Sequence, residues 1–553
     1  MKQYNFPCGC KFDVIEETRD TVRIALNPDL EELPLTCQRT WDFISNGDTK
    51  GVFQLEKQGH AAKRLKPDNI EHLSALIAII RPGCSESYID GKSVTQHYMD
   101  RKHGIEEVSY YHPSLIPALK STYGLLVYQE QAMQIVKDLA RFSLLEADNL
   151  RKAIGKKKPE EMAKVKTMFL EKAKILNIVS EAEAIEIFNW IEKSQRYSFN
   201  KSHSISYAYN AYLSAYCKAH FIRPFFTSYL FYSKDKAKQT LEIKELVNNA
   251  KMLNVVISTP DFRRLVTAST VAGLNPAKHF MLRDKVVYVG FSDIKGVGEA
   301  AIEKLLTLVP FLEIMLEKPY TEWDWTEFLI YCSPHLNSAV MKALVQAGAF
   351  SYMGLTRTRM IYEYDALQKL SEKELLWVCE HRGPTLTSSL QKMVDQGTGR
   401  DKGISNKNRL VLVGDIIKSL ESPSYSMDDA PDWIAGIEES LLGISLTCTK
   451  VDGRDTASAN CTCKEFADGK RGYVIIGAQI TNVNEIKTKR GENAGQRMAF
   501  ITLSDTTGSI DNIVAFPETW GECKGLLVTG NLILVGGERG KDNSLIVKKV
   551  WQM

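Results

Sequence analysis

Apolar residues recur at intervals of three and four through Glu130–Phe142 and Glu181–Ile191, which predicts amphipathic helices. The same helical pattern dominates the chain from about residue 60 to about 235. Asn69-Ile-Glu-His72 ahead of an apolar run suits a helix start, and Arg81-Pro82-Gly83 stops that run with residues that break helices. The first 45 residues read instead as short strands and turns. A mixed region begins at Pro260, holds a short strand over Lys285–Gly290, and gives way to helices as far as about residue 378. Residues 380–410 are polar and rich in Gly, Ser and Lys, as a linker is. A second loose stretch covers Lys450–Lys470. The tail from Arg471 reads as strands, with runs at Tyr473–Ile480, Met498–Leu503, Ser509–Phe516, Leu532–Val535 and Leu545–Val550. Five such runs separated by Gly-containing turns predict a small closed barrel. No fixed-period repeat occurs, which argues against a solenoid.

The pattern therefore implies a multidomain α+β protein, and 553 residues leave room for roughly three or four domains. Apolar residues make up 44% and charged residues 25%, a globular balance. The longest apolar run, Ala75–Ile80, falls far short of the roughly 20 residues of a membrane span. Met1–Cys8 lacks the basic-then-apolar layout of a signal peptide. Eleven cysteines are too sparse for a disulfide scaffold. A soluble cytoplasmic protein with no membrane partner is the expectation. Cys8-Gly-Cys10 and Cys461-Thr-Cys463 are too closely spaced for the usual zinc knuckle, so no metal ligand is assigned.

A net charge of +3 decides nothing, but its distribution does. Arg151–Lys166 holds seven bases against two acids, and Lys193–Arg223 holds five Lys or Arg, seven aromatics and no Asp or Glu. Cations neutralise phosphate and aromatic faces stack on bases, so the mixture fits nucleotide or nucleic-acid binding. A buried aromatic helix with a solvated basic rim fits it equally. In Leu150-Arg-Lys-Ala-Ile-Gly155-Lys-Lys-Lys158-Pro159, a glycine stands amid a fan of cations that suits a triphosphate, or else forms a solvated lysine loop. In Phe199-Asn-Lys-Ser-His203, Asn200 or Ser202 can cap a following helix, leaving Lys201 and His203 at its positive end, where phosphate is attracted. Tyr209, Tyr212 and Tyr216 have core spacing, whereas Tyr207 at the helix entrance is the better candidate to touch a base.

Ile294-Lys-Gly296-Val-Gly298 follows a strand and precedes a helical pattern, as the hairpin of a helix-hairpin-helix does. No Gly-x-x-x-x-Gly-Lys-Ser/Thr loop or Gly-x-Ser-x-Gly elbow occurs. No Asp-x-Asp pair occurs either, so the clustered carboxylates of two-metal phosphoryl transfer are not in evidence.

The chain resembles the C-family replicative polymerases, the bacterial DNA polymerase III alpha subunits, through many motifs in that family's order. Gly51-Val-Phe-Gln54-Leu-Glu56 is followed by Leu65-Lys-Pro67, Ile80-Arg81-Pro-Gly83 and Asp100-Arg101-Lys-His-Gly104. Then come Tyr123-Gly, Tyr128-Gln-Glu-Gln131, the Leu150–Met162 segment, Phe199-Asn-Lys-Ser-His-Ser204 and Lys218-Ala-His220-Phe. The resemblance continues through Thr259-Pro-Asp261, Ile294–Gly298, Gly348-Ala-Phe350, Glu439-Ser-Leu-Leu-Gly443 and Met498–Ser509 to Phe516-Pro-Glu.

The resemblance implies a palm-edge-like segment at 1–45, a mostly helical fingers domain at 46–255 and a helix-hairpin-helix DNA-binding region at 256–380. Linker and connecting helices at 381–470 and an OB-fold β-barrel at 471–553 complete the expected arrangement. It implies a DNA-directed DNA polymerase role in replication. Arg151, Lys152, Lys156 and Lys157 are expected at the triphosphate of the incoming dNTP, with Lys201 and His203 lining the same pocket and Tyr207 near the base. The family shows two arginines where this chain has Arg151-Lys152, and lysine keeps the charge without the bidentate fork. Lys295, Gly296, Gly298, Lys487, Lys489, Arg490 and Arg497 are the expected DNA contacts. The family's palm aspartates precede its fingers, and this sequence starts just upstream of the fingers. The expectation is thus a split polymerase, with Mg2+ held mainly by a second polypeptide that carries the palm, as a phage genome can arrange. Template-primer DNA, dNTPs and a sliding clamp are the remaining expected partners. The competing reading is a non-catalytic DNA-binding accessory protein derived from such a polymerase.

Overall fold

The computed structural model describes residues 2–5, 11–14, 34–156, 159–194, 198–233, 237–265, 279–400, 402–488, 494–540 and 543–553. The chain divides into two compact units, the first ending at Phe225 and the second spanning Phe226–Met553. Cys8 and Cys10 lie outside the described residues.

In the first unit, β1 (Lys2–Asn5) pairs antiparallel with β2 (Lys11–Val14). Helices α1 (Gln38–Ser45), α2 (Gly59–Leu65) and α3 (Ile70–Ile79) follow. A small hairpin of β3 (Tyr88–Ile89) and β4 (Lys92–Ser93) leads into α4 (Val94–Lys102). Then come α5 (Gln129–Ala140), α6 (Leu144–Lys156), α7 (Pro159–Leu176), α8 (Glu181–Ser194) and α9 (Lys201–His220). Turns and short strands were expected as far as residue 45. Instead, α1 forms there because Thr40, Trp41 and Ile44 bury one helical face.

Two cores hold this unit. Trp41, Ile44, Leu55, Leu76, Tyr98, Tyr128, Tyr212 and Tyr216 form one, and Leu126, Ile135, Leu150, Phe169 and Phe188 form the other. Burying one such large side chain contributes roughly 1.5–3 kcal/mol. Tyr212 and Tyr216 are core residues, as their spacing predicts, but Tyr209 is 43% exposed. The buried face of α9 runs through Ala208, Ala211 and Ala215, and Tyr209 stands at its edge.

Lys218 of α9 is fully buried. Its Nζ donates to the carbonyls of Asp48 at 3.0 Å and Lys50 at 2.6 Å, with the rings of Phe43 and Phe225 within 6 Å. Burial pushes this ammonium down to about 7; Asp48 opposes that shift and Lys50 adds to it. Between that value and the ordinary 10.5 the unfolded chain holds the extra proton, so this group makes stability rise with pH across that window and contributes nothing further below it. Denaturant unfolding at pH 6.5 and 8.5 is therefore expected to show a gain in wild type that Lys218→Met lacks.

In the second unit, α10 (Ile222–Tyr232) carries the chain across the division and α11 (Gln239–Met252) follows. Strands β5 (Ile257–Ser258), β6 (Met281–Arg283) and β7 (Val286–Tyr288) form a small sheet in the order β5-β7-β6. Helices α12 (Glu299–Leu316), α13 (Ser338–Gln346), α14 (Arg357–Leu367) and α15 (Glu372–Glu380) come next. They are followed by α16 (Leu386–Asp395), α17 (Lys407–Glu421), α18 (Pro431–Leu442) and α19 (Cys463–Ala467). Within residues 380–410, whose composition is a linker's, α16 forms because Thr385 and Ser388 make a capping box and Leu386, Leu390 and Met393 bury one face.

The five strand-like runs of the tail form a closed barrel. Its strands are β8 (Tyr473–Lys487), β9 (Arg497–Asp505), β10 (Gly508–Ala515), β11 (Leu532–Arg539) and β12 (Leu545–Gln552), arranged β10-β12-β11-β8-β9. A short helix, α20 (Pro517–Cys523), joins β10 to β11. β10 and β12 run parallel where the barrel closes. Alternate residues such as Ile476, Ala478 and Ile480 fill the interior with Ile501, Leu503, Val535 and Val547. On the outside, Gly508 lies against α11. A Cβ there would fall 2.5 Å from Met252 Sδ, and φ is +146°, so a side chain would be strained and would displace the methionine.

A buried ion pair links α14 to α18: Arg357 Nη2 donates to Glu438 Oε1 at 2.6 Å. Glu438 Oε2 also accepts from the backbone N–H groups of Leu446 at 2.6 Å and Thr447 at 2.9 Å. Arg357 Nη1 donates to the Gln346 carbonyl at 2.7 Å.

Candidate functional site

The start of α9 is tied to the start of α5 by a short strand-like pairing. Phe199 N–H donates to the Val127 carbonyl and Gln129 N–H to the Phe199 carbonyl, both at 2.9 Å. Asn200 then caps α9, its side chain accepting from His203 N–H at 2.8 Å. Glu130, in the first turn of α5, accepts from Lys201 N–H at 2.8 Å and from Asn200 Nδ2 at 3.0 Å. A carboxylate at that positive helix end is favourable. The Lys201 and His203 amides are thus engaged by protein groups, which leaves the side chains of these two residues to meet an anion.

Lys201 Nζ lies 3.1 Å from Glu71 Oε2 and 5.7 Å from the centre of the Tyr128 ring. Exposed His203 sits between two rings, with centroids 5.6 Å from Phe199 and 4.1 Å from Tyr207. Tyr207 in turn meets Phe53 at 5.1 Å. At the opposite end, the Arg81 guanidinium lies 4.5 Å from the Phe199 ring centre. The result is a row, Arg81–Phe199–His203–Tyr207–Phe53, in which cationic and aromatic groups share one surface beside Lys201. Such a row can meet both phosphate and a flat base.

Buried hydroxyls fix α9 against α3 under this row. Ser74 Oγ donates to Ser204 Oγ at 2.8 Å, and Ser204 Oγ donates to the Ser74 carbonyl at 2.6 Å. The Tyr128 hydroxyl is 3.1 Å from Ser74 Oγ, and burial holds its phenol well above the usual range. Two residues earlier on α3, His72 bridges Asp68 and the Tyr123 hydroxyl, each at 2.8 Å.

Arg151 and Lys152 form a separate grouping near the end of α6. Both pair with Asp148, each at 2.8 Å. Lys156 ends the helix, but its side chain, Lys157 and Lys158 lie outside the described residues. Among the described residues no hydrogen bond or ion pair joins Arg151 and Lys152 to Lys201, His203 or Tyr207. Arg81 and Phe53 were not assigned from sequence, although each stands in a quoted motif. Their distance along the chain from residue 199 hid the shared surface.

Lys295, Gly296 and Gly298 are exposed on a turn anchored by buried Ile294 and Val297. Lys295 N–H donates to the Leu441 carbonyl at 2.9 Å. Gly296 has φ +91°, Gly298 caps α12, and a side chain at either would point into open space. On the barrel, Lys487 and Arg497 face each other across β8 and β9, both exposed. Arg497 Nη1 donates to Glu485 Oε1 at 2.9 Å. Lys489 and Arg490 lie outside the described residues. Among the described residues no group of three or more His, Cys, Asp or Glu is placed to hold a metal ion, and no helix is long and apolar enough to cross a membrane.

Residues 11–177 match the family model of the bacterial DNA polymerase III alpha subunit finger domain. The chain is 30% identical over 545 residues to the DNA polymerase III subunit alpha of Pseudomonas aeruginosa, covering 95% of this chain and 42% of that protein. The same subunit of Escherichia coli K12 is 30% identical over 93% of this chain, and that of Aquifex aeolicus 31% identical over 92%. The resemblance drawn from the motifs thus extends along nearly the whole chain, which spans about two fifths of the length of these relatives.

Proposed function

We propose that this chain is the fingers-to-barrel part of a template-directed replicative DNA polymerase, acting with a palm that supplies the metal-binding carboxylates. The observation that carries the reading is the row Arg81–Phe199–His203–Tyr207–Phe53 beside Lys201, which lies in a chain similar over 95% of its length to DNA polymerase III alpha subunits. Lys201, His203 and Arg81 meet the triphosphate of a dNTP, and Tyr207 meets its base. Arg151 and Lys152 of α6 are assigned to the same phosphates, and so are Lys156 and Lys157. Charge clamping and in-line positioning are most of what phosphoryl transfer asks of groups other than the metal ligands. Mg2+ would supply charge neutralisation at the triphosphate, and in this reading the palm carboxylates hold it.

The turn at Lys295–Gly298 acts as the hairpin of a helix-hairpin-helix, its backbone approaching DNA phosphate without regard to sequence. The closed five-stranded barrel supports reading this domain as an OB-fold that binds DNA, with Lys487 and Arg497 assigned to the contact together with Lys489 and Arg490.

Two measurements test the reading. Purified chain is expected to bind primer-template DNA without extending it, and to support extension once a palm polypeptide is added. Extension by this chain alone, abolished by mutating one of its own carboxylates, would sink the reading that the catalytic carboxylates lie outside it. Affinity for unrelated DNA sequences should fall with salt at a log–log slope steeper than about −3, as several phosphate contacts require. A flat salt response, or binding confined to one DNA sequence, removes the hairpin and barrel residues from the interface. DNA binding with no nucleotide affinity or extension under any condition would favour the accessory-protein reading.

A further inference from the structure

The geometry points to Lys218 as a positioning residue that holds the 47–58 loop so that Phe53 stays on Tyr207 at the nucleotide-facing row. The inference rests on the reading of that row as a nucleotide site, and it assigns a role to a buried cation that the row itself does not touch.

Lys218 and Tyr207 lie on the same helix, eleven residues and so about 16 Å apart. The loop runs alongside from one to the other. At the Lys218 end, the ammonium donates to the carbonyls of Asp48 and Lys50. At the Tyr207 end, the loop delivers Phe53 against the Tyr207 ring at 5.1 Å. Helix α9 thus supplies both the base-facing tyrosine and the anchor of its neighbour.

The loop is built to need such an anchor. It folds through successive tight turns, with Val52 N–H donating to Thr49 O and Leu55 N–H to Val52 O. Gly51 and Gln54 take positive φ values of 77° and 61°. At its neck Gly47 and Gly59 cross so closely that a Cβ at Gly47 would fall 2.8 Å from the Gly59 carbonyl oxygen. Thr49 is buried too, so the backbone around it has little access to water. Without the Lys218 side chain the Asp48 and Lys50 carbonyls lose the donor that meets them, and turns that depend on left-handed residues have less to hold them.

Hydrogen exchange of the full chain, paired with titration of Mg2+–dATP, tests the assignment. Lys218→Met is expected to speed exchange of the Thr49–Phe53 amides by about tenfold or more, the factor that loss of a buried hydrogen-bond donor implies. Exchange at the start of α9 should be unchanged, and dATP affinity should fall several-fold. Phe53→Ala should reproduce the affinity loss without the faster exchange near Lys50. If Lys218→Met lacks a cooperative melt, Gly47→Ala disturbs the same loop from its neck and is expected to give the same pattern. Unchanged loop exchange overturns the clamp. A freed loop with unchanged dATP affinity overturns the positioning role while leaving the nucleotide site standing. Wild type that binds no dATP overturns the site itself, and the positioning role with it.

Discussion

Lys201→Ala is expected to weaken binding of Mg2+–dATP by about tenfold or more, because a charge-assisted contact to phosphate contributes roughly 1.5–3 kcal/mol. The melting temperature should hardly move. Lys201 pairs with Glu71 at a partly exposed site, and such pairs contribute about 0–1 kcal/mol to stability. Glu71→Gln is the informative companion. It removes the carboxylate that competes with phosphate for the Lys201 ammonium, so dATP affinity should hold or rise. If the ion pair were merely a brace between α3 and α9, both substitutions would act alike and neither would change nucleotide affinity. Calorimetric titration of the two variants separates the cases. An unaltered dissociation constant in Lys201→Ala takes that lysine out of the site.

The largest loss of stability is expected from Arg357→Met. Glu438 is fully buried, and Arg357 is its cationic partner at 2.6 Å. Removing one partner of such a pair strands the other charge in a poorly polarisable interior, which costs about 3–5 kcal/mol. The Leu446 and Thr447 amides still bind the carboxylate, so the lower end of that range applies if their geometry survives. Replacing both residues together, Arg357→Met with Glu438→Leu, should recover only part of the loss: no unpaired charge remains, but the Leu446 and Thr447 amides lose their acceptor. Denaturant unfolding of the second unit's signal measures each. A single variant that unfolds like wild type would mean that water or a shifted side chain already compensates the pair.

Much of this architecture could be read from local pattern, because a strand or helix that buries one face leaves its period in the sequence. The barrel strands show it, with Ile476, Ala478 and Ile480 pointing inward on alternate residues. Asn69 and Asn200 likewise announced helix starts that the structure places at those residues. Features set by distant parts of the chain were less visible. Helix α16 sits in a stretch whose composition is a linker's, and its apolar face becomes meaningful only with the partner it packs on. Lys218 stood in a recognised motif, yet nothing near it in sequence says that its charge is buried against the carbonyls of residues 48 and 50. Arg81 and Phe53 join the row at Phe199 and Tyr207 across more than a hundred residues. Conversely, Arg151 and Lys152, so conspicuous in sequence, share no ion pair or hydrogen bond with that row among the described residues, and the lysine side chains that follow Gly155 lie outside them.

The contact between Gly508 and Met252 bears on how the chain can be cut. The barrel begins at Tyr473, and a designer seeking a minimal nucleic-acid-binding fragment would start there. Such a fragment would lose α11, whose Met252 occupies the space that the missing side chain at 508 leaves, and Cys463 and Phe466, which belong to the barrel's core. The fragment would expose an apolar notch on its outer wall and tend to self-associate. A soluble minimal piece should therefore be drawn as two discontinuous segments, one around 239–254 and one from about 460 onward, joined by a grafted linker. The same contact bears on any natural rearrangement: a barrel passed to another protein without α11 leaves behind the methionine that packs on its wall.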